Sequence, residues 1–232
     1  MNTKNEVMGD IKYSAASEPD DNHSRWRTVV SMVLALWFGI VLLLGIQGAF
    51  VGSAGSPPLR IFAGLAIPLA LFSLLYWSSR TFRAFILNAD LRLVTAIQAW
   101  RWAGFGFLEL YAHGILPGLF AFPAGLGDMT VGVCAPWILI GLVRDPSFAT
   151  SRRFVLWNIM GIVDLVVTVS MATITSGFIP GLAGSVTTRP MAQLPLVFIP
   201  AYLVPIFIML HFTALAQVRR LGRFGLAGKQ LR

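Results

Sequence analysis

The chain has 232 residues, of which 56% are hydrophobic and only 12% are charged, and its mean hydropathy is +0.73. A soluble domain is about 25% charged because charges must cover its surface, so this composition excludes an ordinary soluble enzyme domain. The single cysteine, Cys134, excludes a disulfide framework within the chain and a cysteine-rich metal site.

The N-terminal residues 1–27 are polar and carry charges of both signs. A segment of this composition buries too little apolar surface to offset the entropy lost on ordering. The sequence therefore predicts a disordered cytoplasmic tail here, with a docking tail as the alternative.

Six hydrophobic stretches follow, and most are close to the ~20 residues that cross a bilayer. They predict an all-α, polytopic membrane helix bundle over residues 28–218, followed by a basic cytoplasmic tail over residues 219–232. The third stretch is the least apolar because it contains Gln98, Arg101 and Glu109. The six predicted spans are residues 29–51, 61–77, 93–113, 124–143, 154–174 and 194–216.

The connection between the third and fourth stretches, residues 114–123, is apolar and contains Pro117 and Pro123. Irregular backbone is tolerated at membrane depth only where protein or a water-filled cavity satisfies it. The sequence leaves open whether this connection re-enters the membrane.

The positive charges predict the topology. Lys and Arg gather before the first span, between the second and third, between the fourth and fifth, and after the sixth, whereas the other three connections carry only Arg60 and Arg189. Cytoplasmic loops are the ones enriched in Lys and Arg, so both termini are expected to be cytoplasmic. The charges form no single basic face for nucleic acid. The lipid bilayer is the expected partner, and a homo-oligomer or a partner in a membrane complex stays open.

Ionisable side chains inside the predicted spans are the first candidates for function, because each costs ~2.5 to 3.5 kcal/mol on insertion scales. Counted at ~1.5 Å per residue from the cytoplasmic edge, Arg101 and Asp164 lie at similar depth. We expect them to form an ion pair that acts as a gate or locks two helices. Glu109, His113 and Asp128 all fall in the outer part of the bundle, which predicts a site for a proton or a ligand.

A second polar group is predicted nearer the cytoplasmic side, where Gln98, Asn158 and His211 fall at one level. Interhelical hydrogen bonding is the simpler role for these side chains. In the last span, Pro200 and Pro205 flank Tyr202. They predict a helix break that lines a substrate site, or else a static kink.

Several chemistries are disfavoured by the pattern. The chain has no HExxH, GxSxG, P-loop or dinucleotide-binding motif, and three histidines are too few for a typical metal hydrolase. His113 and His211 are predicted at different depths, which disfavours a bis-histidine haem. A haem with one histidine or a quinone stays open as a cofactor.

Three segments resemble an uncharacterised family of bacterial multi-pass inner-membrane proteins. They are RWAGFGFLELYAHGILPGLFAFPAGLGD at 101–128, WNIMGIVDL at 157–165 and LPLVFIPAYLVPIFIMLH at 194–211. The resemblance implies a bacterial inner membrane and carries no activity or site residues.

The leading functional interpretation is a small-solute or proton-linked transporter or channel-like protein, rather than an enzyme. It depends on acids and an imidazole in one layer together with helices interrupted by prolines. Two alternatives are a membrane-embedded redox or lipid-modifying enzyme that binds haem, quinone or lipid, and a non-catalytic subunit of a larger membrane complex.

Overall fold

The computed structural model describes residues 21–53, 55–179, 181 and 184–230. These residues form helices, turns and loops, with no strand among them. The described residues divide into two compact units, of which the first ends at Phe38 and the second begins at Gly39. The first contains the beginning of α1 (Asp21–Ile46), whose apolar side chains between residues 29 and 38 are largely exposed. The second contains every other element and all the residues of the candidate site.

Five helical segments of the described chain are long and apolar enough to cross a membrane. Their exposed surfaces are rich in leucine, valine and isoleucine, as a surface that faces lipid requires. The prediction of an all-helical chain is therefore confirmed, and five of its helices could span a membrane. The segments are Thr28–Ile46, Leu59–Ser78, Gly118–Arg144, Arg152–Ile174 and Ile199–Leu221.

The third predicted span is built differently from these five. It consists of α4 (Leu91–Ile97), a 3₁₀ helix (Gln98–Gly104) and α5 (Phe105–Ala112), which follow one another without a gap. Each piece alone is shorter than a membrane crossing, so the six-span count stays a prediction. A 3₁₀ stretch in the middle of a helix often marks strain or function, and here it carries Arg101.

The remaining helices of the second unit are α2 (Leu59–Ser78), α3 (Arg80–Leu87), α6 (Gly118–Arg144), α7 (Arg152–Ile174) and α8 (Val204–Gln230). Short 3₁₀ helices lie at Pro146–Thr150 and Arg189–Ala192. Helix α6 packs against the 3₁₀ helix Gln98–Gly104 and against α7, which in turn packs against α8. These contacts place the polar side chains of four segments around one point.

The connection before α6 is shorter than predicted. Only a tight turn around Gly114, which has a φ of +68°, separates α5 from Pro117, and α6 begins at Gly118. Leu116 and Phe120 are almost completely buried in a cluster with Phe107, so these two side chains pack against protein. Residues 118–123 thus belong to the fourth membrane helix, and the predicted start at residue 124 is wrong by six residues.

Both predicted tails change in the structure. Helix α1 begins at Asp21, so residues 21–27 are helical, and the rest of the predicted N-terminal tail lies outside the described residues. Helix α8 continues to Gln230. The predicted C-terminal tail is therefore, up to that residue, an extension of the last helix.

The predicted break in the last span is a deformation without unwinding. A π-helical turn at Ile199–Leu203 leads directly into α8 and contains Pro200 and Tyr202, while Pro205 follows it. The amide of Val204 donates to the carbonyl of Ile199, five residues back. Pro205, the next residue, has no N–H for the Ala201 carbonyl, the bond that a regular α-helix would make there.

Side-chain caps hold the short turns at one end of the bundle. Ser79, Asp90 and Ser151 each accept a hydrogen bond from a backbone amide at the start of a helix. Asp145 accepts from the amide of Ser147 at 2.8 Å and from its hydroxyl at 2.7 Å. These hydrogen bonds favour the ionised carboxylate and hold the pKa of Asp145 below its usual value.

Candidate functional site

The guanidinium of Arg101 lies at the centre of the candidate site, and Arg101 as a whole is only 2% exposed. Its Nε donates to Oδ1 of Asp128 at 2.6 Å, and its Nη2 donates to Oδ2 of Asp164. One buried cation from the 3₁₀ helix thus bridges two carboxylates, one from α6 and one from α7. We call Arg101, Asp128, Asp164 and His211 the charged centre.

The fourth member, His211 of α8, is completely buried and accepts from Arg101. Nη1 of Arg101 lies 3.1 Å from His211 Nε2 and 3.2 Å from the carbonyl oxygen of Gly161. Because a guanidinium can only donate, Nε2 must accept, which assigns the neutral imidazole with its proton on Nδ1. That proton is donated to Oδ1 of Asn158 at 2.9 Å, and Asn158 Nδ2 donates to the Phe154 carbonyl.

The charged centre lies far from the ends of the membrane helices that form it. Asp128 lies well inside Gly118–Arg144, Asp164 lies near the middle of Arg152–Ile174, and His211 lies near the middle of Ile199–Leu221. At ~1.5 Å per residue, each of the three is ~15 Å or more from either end of its helix. That distance equals half the thickness of a ~30 Å hydrocarbon core.

Glycines let the backbones approach around this centre. A Cβ added to Gly127 would collide with the carboxylate of Asp164, and one added to Gly161 would collide with the imidazole of His211. Two further glycines also leave no room for a Cβ. At Gly104 it would collide with Asp128, and at Gly132 it would collide with the backbone of Arg101 and Trp102. From the sequence, Gly127 and Gly132 are interpreted either as close packing around Asp128 or as exposed backbone that binds an ion, and Gly104 and Gly161 are not singled out.

We expect Gly161→Ala to lower the free energy of unfolding by about 1 to 3 kcal/mol, because the new methyl group must displace the His211 ring. Gly106→Ala is the matched control, since nothing lies within 4 Å of its Cβ position, and there alanine should be neutral or stabilising. Thermal unfolding of both variants in detergent measures the difference. Equal stability of the two would contradict the packing described here.

The predicted outer cluster does not form as expected. Glu109 and His113 contact one another, with 3.4 Å between His113 Nδ1 and Glu109 Oε1, but both side chains are 64% exposed. Asp128 is paired with Arg101 instead. The prediction was wrong because α6 begins six residues earlier than expected, which moves Asp128 from the helix end to its middle.

The predicted inner group is brought together in part. Asn158 and His211 share a hydrogen bond, and Arg101 joins them, so their chain is continuous with the charged centre. Gln98 donates to the Phe207 carbonyl of α8 at 3.2 Å. Its Oε1 and the hydroxyl of Thr95 are buried without a partner among the described residues.

A cavity of about 90 Å³ lies between α2, α7 and the turns that precede α2 and α8, and no residue of the charged centre lines it. Its wall is mainly apolar and includes four phenylalanines, Phe50, Phe62, Phe107 and Phe120. Its polar side chains are those of serines, threonines and Arg189, and none of the described acidic residues lines it. Thr168, which also lines it, is one helical turn from Asp164 on α7.

Among the described residues there is no group of three or more His, Cys, Asp and Glu side chains arranged to hold a metal ion. The carboxylates of the charged centre have the guanidinium of Arg101 as their cation instead.

A bundle of apolar helices around a buried charged centre is the pattern of a helical membrane protein with polar groups at its interior. The chain belongs to the family described as Domain of unknown function (DUF8737), whose model matches residues 58–219. All four members of the charged centre fall inside the matched region. No curated protein matches the chain, and no solved structure matches it.

Proposed function

We propose that the chain is a six-span membrane protein with both termini in the cytoplasm, located in a bacterial inner membrane. Residues 91–112 supply the third crossing, because α4, the 3₁₀ helix and α5 form one unbroken helical run. With a rise of ~1.5 Å per α-helical residue and ~2 Å per 3₁₀ residue, this run is as long as a ~30 Å hydrocarbon core. An even number of crossings also keeps both basic ends on the cytoplasmic side.

Single-cysteine labelling tests this topology, since Cys134→Ser removes the one native thiol. We expect a membrane-impermeant maleimide to label Ile115→Cys and Ser185→Cys in intact expressing cells. Thr81→Cys and Thr150→Cys should react only after the cells are opened. Equal labelling of Thr81→Cys and Ile115→Cys in intact cells would show that residues 91–112 do not cross.

We further propose that the protein is a proton-linked transporter for a small solute and that the charged centre is its proton site. The carrying observation is the imbalance of charge around Arg101: two carboxylates share one guanidinium. With both carboxylates ionised and His211 neutral, the centre has a net charge of −1 in the bundle interior. Binding of one proton makes it neutral, and an uncompensated charge at membrane depth is costly.

The second oxygen of each carboxylate supports this role. Asp128 and Asp164 each give one oxygen to Arg101, and the other makes no hydrogen bond to any described residue. The two side chains retain 13% and 12% of their exposure, whereas the side chain of Arg101 has none. A proton or a solute can therefore reach a carboxylate without disrupting the guanidinium contacts.

Reconstituted protein tests the proposal. Proteoliposomes with a pH-sensitive dye inside are given a proton gradient and a panel of small solutes, and we expect at least one solute to accelerate the loss of the gradient. Glu109→Gln is the matched control because its carboxylate is exposed and lies outside the charged centre. If no solute moves protons in the wild type, the proposal fails.

A second candidate function is a non-catalytic subunit whose charged centre only locks helices together. The observation that favours it is the extent of pairing, because four of the five N–H donors of Arg101 have protein acceptors. This candidate predicts that carboxylate variants change stability alone and that the protein co-purifies with a larger membrane complex.

A further inference from the structure

The cavity between α2 and α7 has a polar group at each end and an apolar wall between them. Thr168 lies at the end nearest Asp164, and Arg189 lies at the opposite end, beside the turn that precedes α2. Each end favours a different chemical group in a bound ligand.

At the inner end, the hydroxyl of Thr168 has no partner among the described residues although the residue is only 5% exposed. Three other hydroxyls at the same helix, those of Ser170, Thr173 and Thr175, each donate to the carbonyl four residues back. Thr168 does not make this bond to Asp164. Since buried polar groups are almost always hydrogen-bonded, an occupant of the cavity is the natural source of the missing partner.

At the outer end, the guanidinium of Arg189 is exposed and positively charged. Its Nη2 donates to the Gly52 carbonyl at 3.0 Å, and its other side-chain donors make no hydrogen bond to any described residue. Because none of the described acidic residues lines the cavity, no carboxylate among them neutralises the charge of Arg189 there. A carboxylate is the simplest group that matches one such guanidinium.

The distance between the two ends limits the length of the occupant. The amide of Thr188 donates to the Thr175 carbonyl and its hydroxyl donates to the Ala172 carbonyl, which places Arg189 beside the last turns of α7. That level is about four to seven residues beyond Thr168, or about 6 to 10 Å at ~1.5 Å per residue. A cavity of about 90 Å³ has room for roughly six to nine water-sized groups, each needing about 10–15 Å³.

We propose that the cavity binds a small organic monocarboxylate, with its carboxylate on Arg189, an apolar body among the phenylalanines and a second polar group on Thr168. Only the identification of this molecule as the transported solute rests on the proposed function. A ligand at the inner end lies about one helical turn from the carboxylate of Asp164. At that distance, protonation of Asp164 can change the affinity for the ligand.

Three probes of similar size test the two ends of the cavity separately. 4-Hydroxybenzoate has both polar groups, benzoate lacks the hydroxyl, and 4-hydroxybenzamide lacks the charge. By calorimetry on wild-type protein in nanodiscs, we expect 4-hydroxybenzoate to bind about fivefold more tightly than benzoate. It should bind at least about tenfold more tightly than the amide.

Two variants assign these preferences to their residues. Thr168→Val should remove the preference over benzoate and keep the preference over the amide, and Arg189→Gln should do the opposite. Thr130→Val and Arg60→Gln are the matched controls. Thr130 donates to the Leu126 carbonyl outside the cavity, and Arg60 bonds the Val51 carbonyl without lining the cavity. Both controls should bind all three probes as the wild type does.

Equal binding of the three probes to the wild type overturns the inference, and so do preferences that survive in both variants. Binding is measured at one pH without a gradient, so the two proposals fail separately. Selective binding without proton movement removes the transport proposal and keeps the ligand site. Proton movement without selective binding does the reverse.

Discussion

Arg101→Leu is expected to lower the free energy of unfolding by about 3 to 5 kcal/mol, the largest stability effect among the substitutions considered. Removal of the guanidinium leaves the carboxylates of Asp128 and Asp164 close together without their cation. It also leaves Nε2 of the buried His211 ring without its donor. Unfolding in increasing sodium dodecyl sulfate, followed by helical circular dichroism, measures the loss.

Matched variants separate charge from shape at this position. Arg101→Lys keeps the charge but not the planar set of donors, and we expect an intermediate loss. Arg101→Leu combined with Asp128→Asn and Asp164→Asn removes the charges together and should recover part of the stability. Arg60→Leu, which removes an exposed guanidinium, should cost less than about 1 kcal/mol. A leucine variant as stable as the wild type would refute the role given to Arg101.

The combination of Asp128→Asn and Asp164→Asn is expected to abolish solute-linked proton movement in proteoliposomes. It also leaves Arg101 without an anionic partner and lowers the free energy of unfolding, so helical circular dichroism of the reconstituted variant is the check that it has folded. An amide oxygen still accepts from Arg101, so the hydrogen bonds can persist, but neither side chain can exchange a proton. The charged centre then keeps one charge state throughout. The fluorescence of the internal dye, read with and without solute, measures the effect.

The single variants and a spectroscopic measurement support this test. Asp128→Asn and Asp164→Asn should each remove the infrared band of a protonated carboxyl group at the charged centre, whereas Glu109→Gln should leave that band unchanged. Wild-type rates of proton movement in the double variant would exclude these carboxylates as the proton site. The helix-locking role described as the second candidate function would then be favoured.

Several elements could be predicted from local composition alone. The apolar stretches of residues 61–77 and 154–174 match α2 and α7 closely because a run of apolar residues has few alternatives to a membrane helix. The intramembrane charges were also identified from the sequence, since their cost marks them regardless of their partners. Estimated depth correctly placed Arg101 at the level of Asp164.

Partners were harder to predict when a helix boundary was uncertain. The early start of α6 at Gly118, directly after Pro117, moved Asp128 from the predicted outer cluster to Arg101. A proline followed by a helix-compatible run is a start signal, and it was the available clue. An error of about six residues corresponds to ~9 Å along a helix, more than the reach of a carboxylate.

By itself the sequence determined that the chain forms apolar helices, that few charges lie within them, and which residues those charges are. Composition and periodicity are local properties, so they can be read without knowing which helices are neighbours. Only the tertiary structure decided that Arg101 forms ion pairs with both Asp128 and Asp164 and that His211 is neutral beside them. It also decided that a cavity ends at Thr168, one helical turn from Asp164. These features depend on side chains from four segments distant in sequence, and close contact between those segments requires the whole bundle to pack.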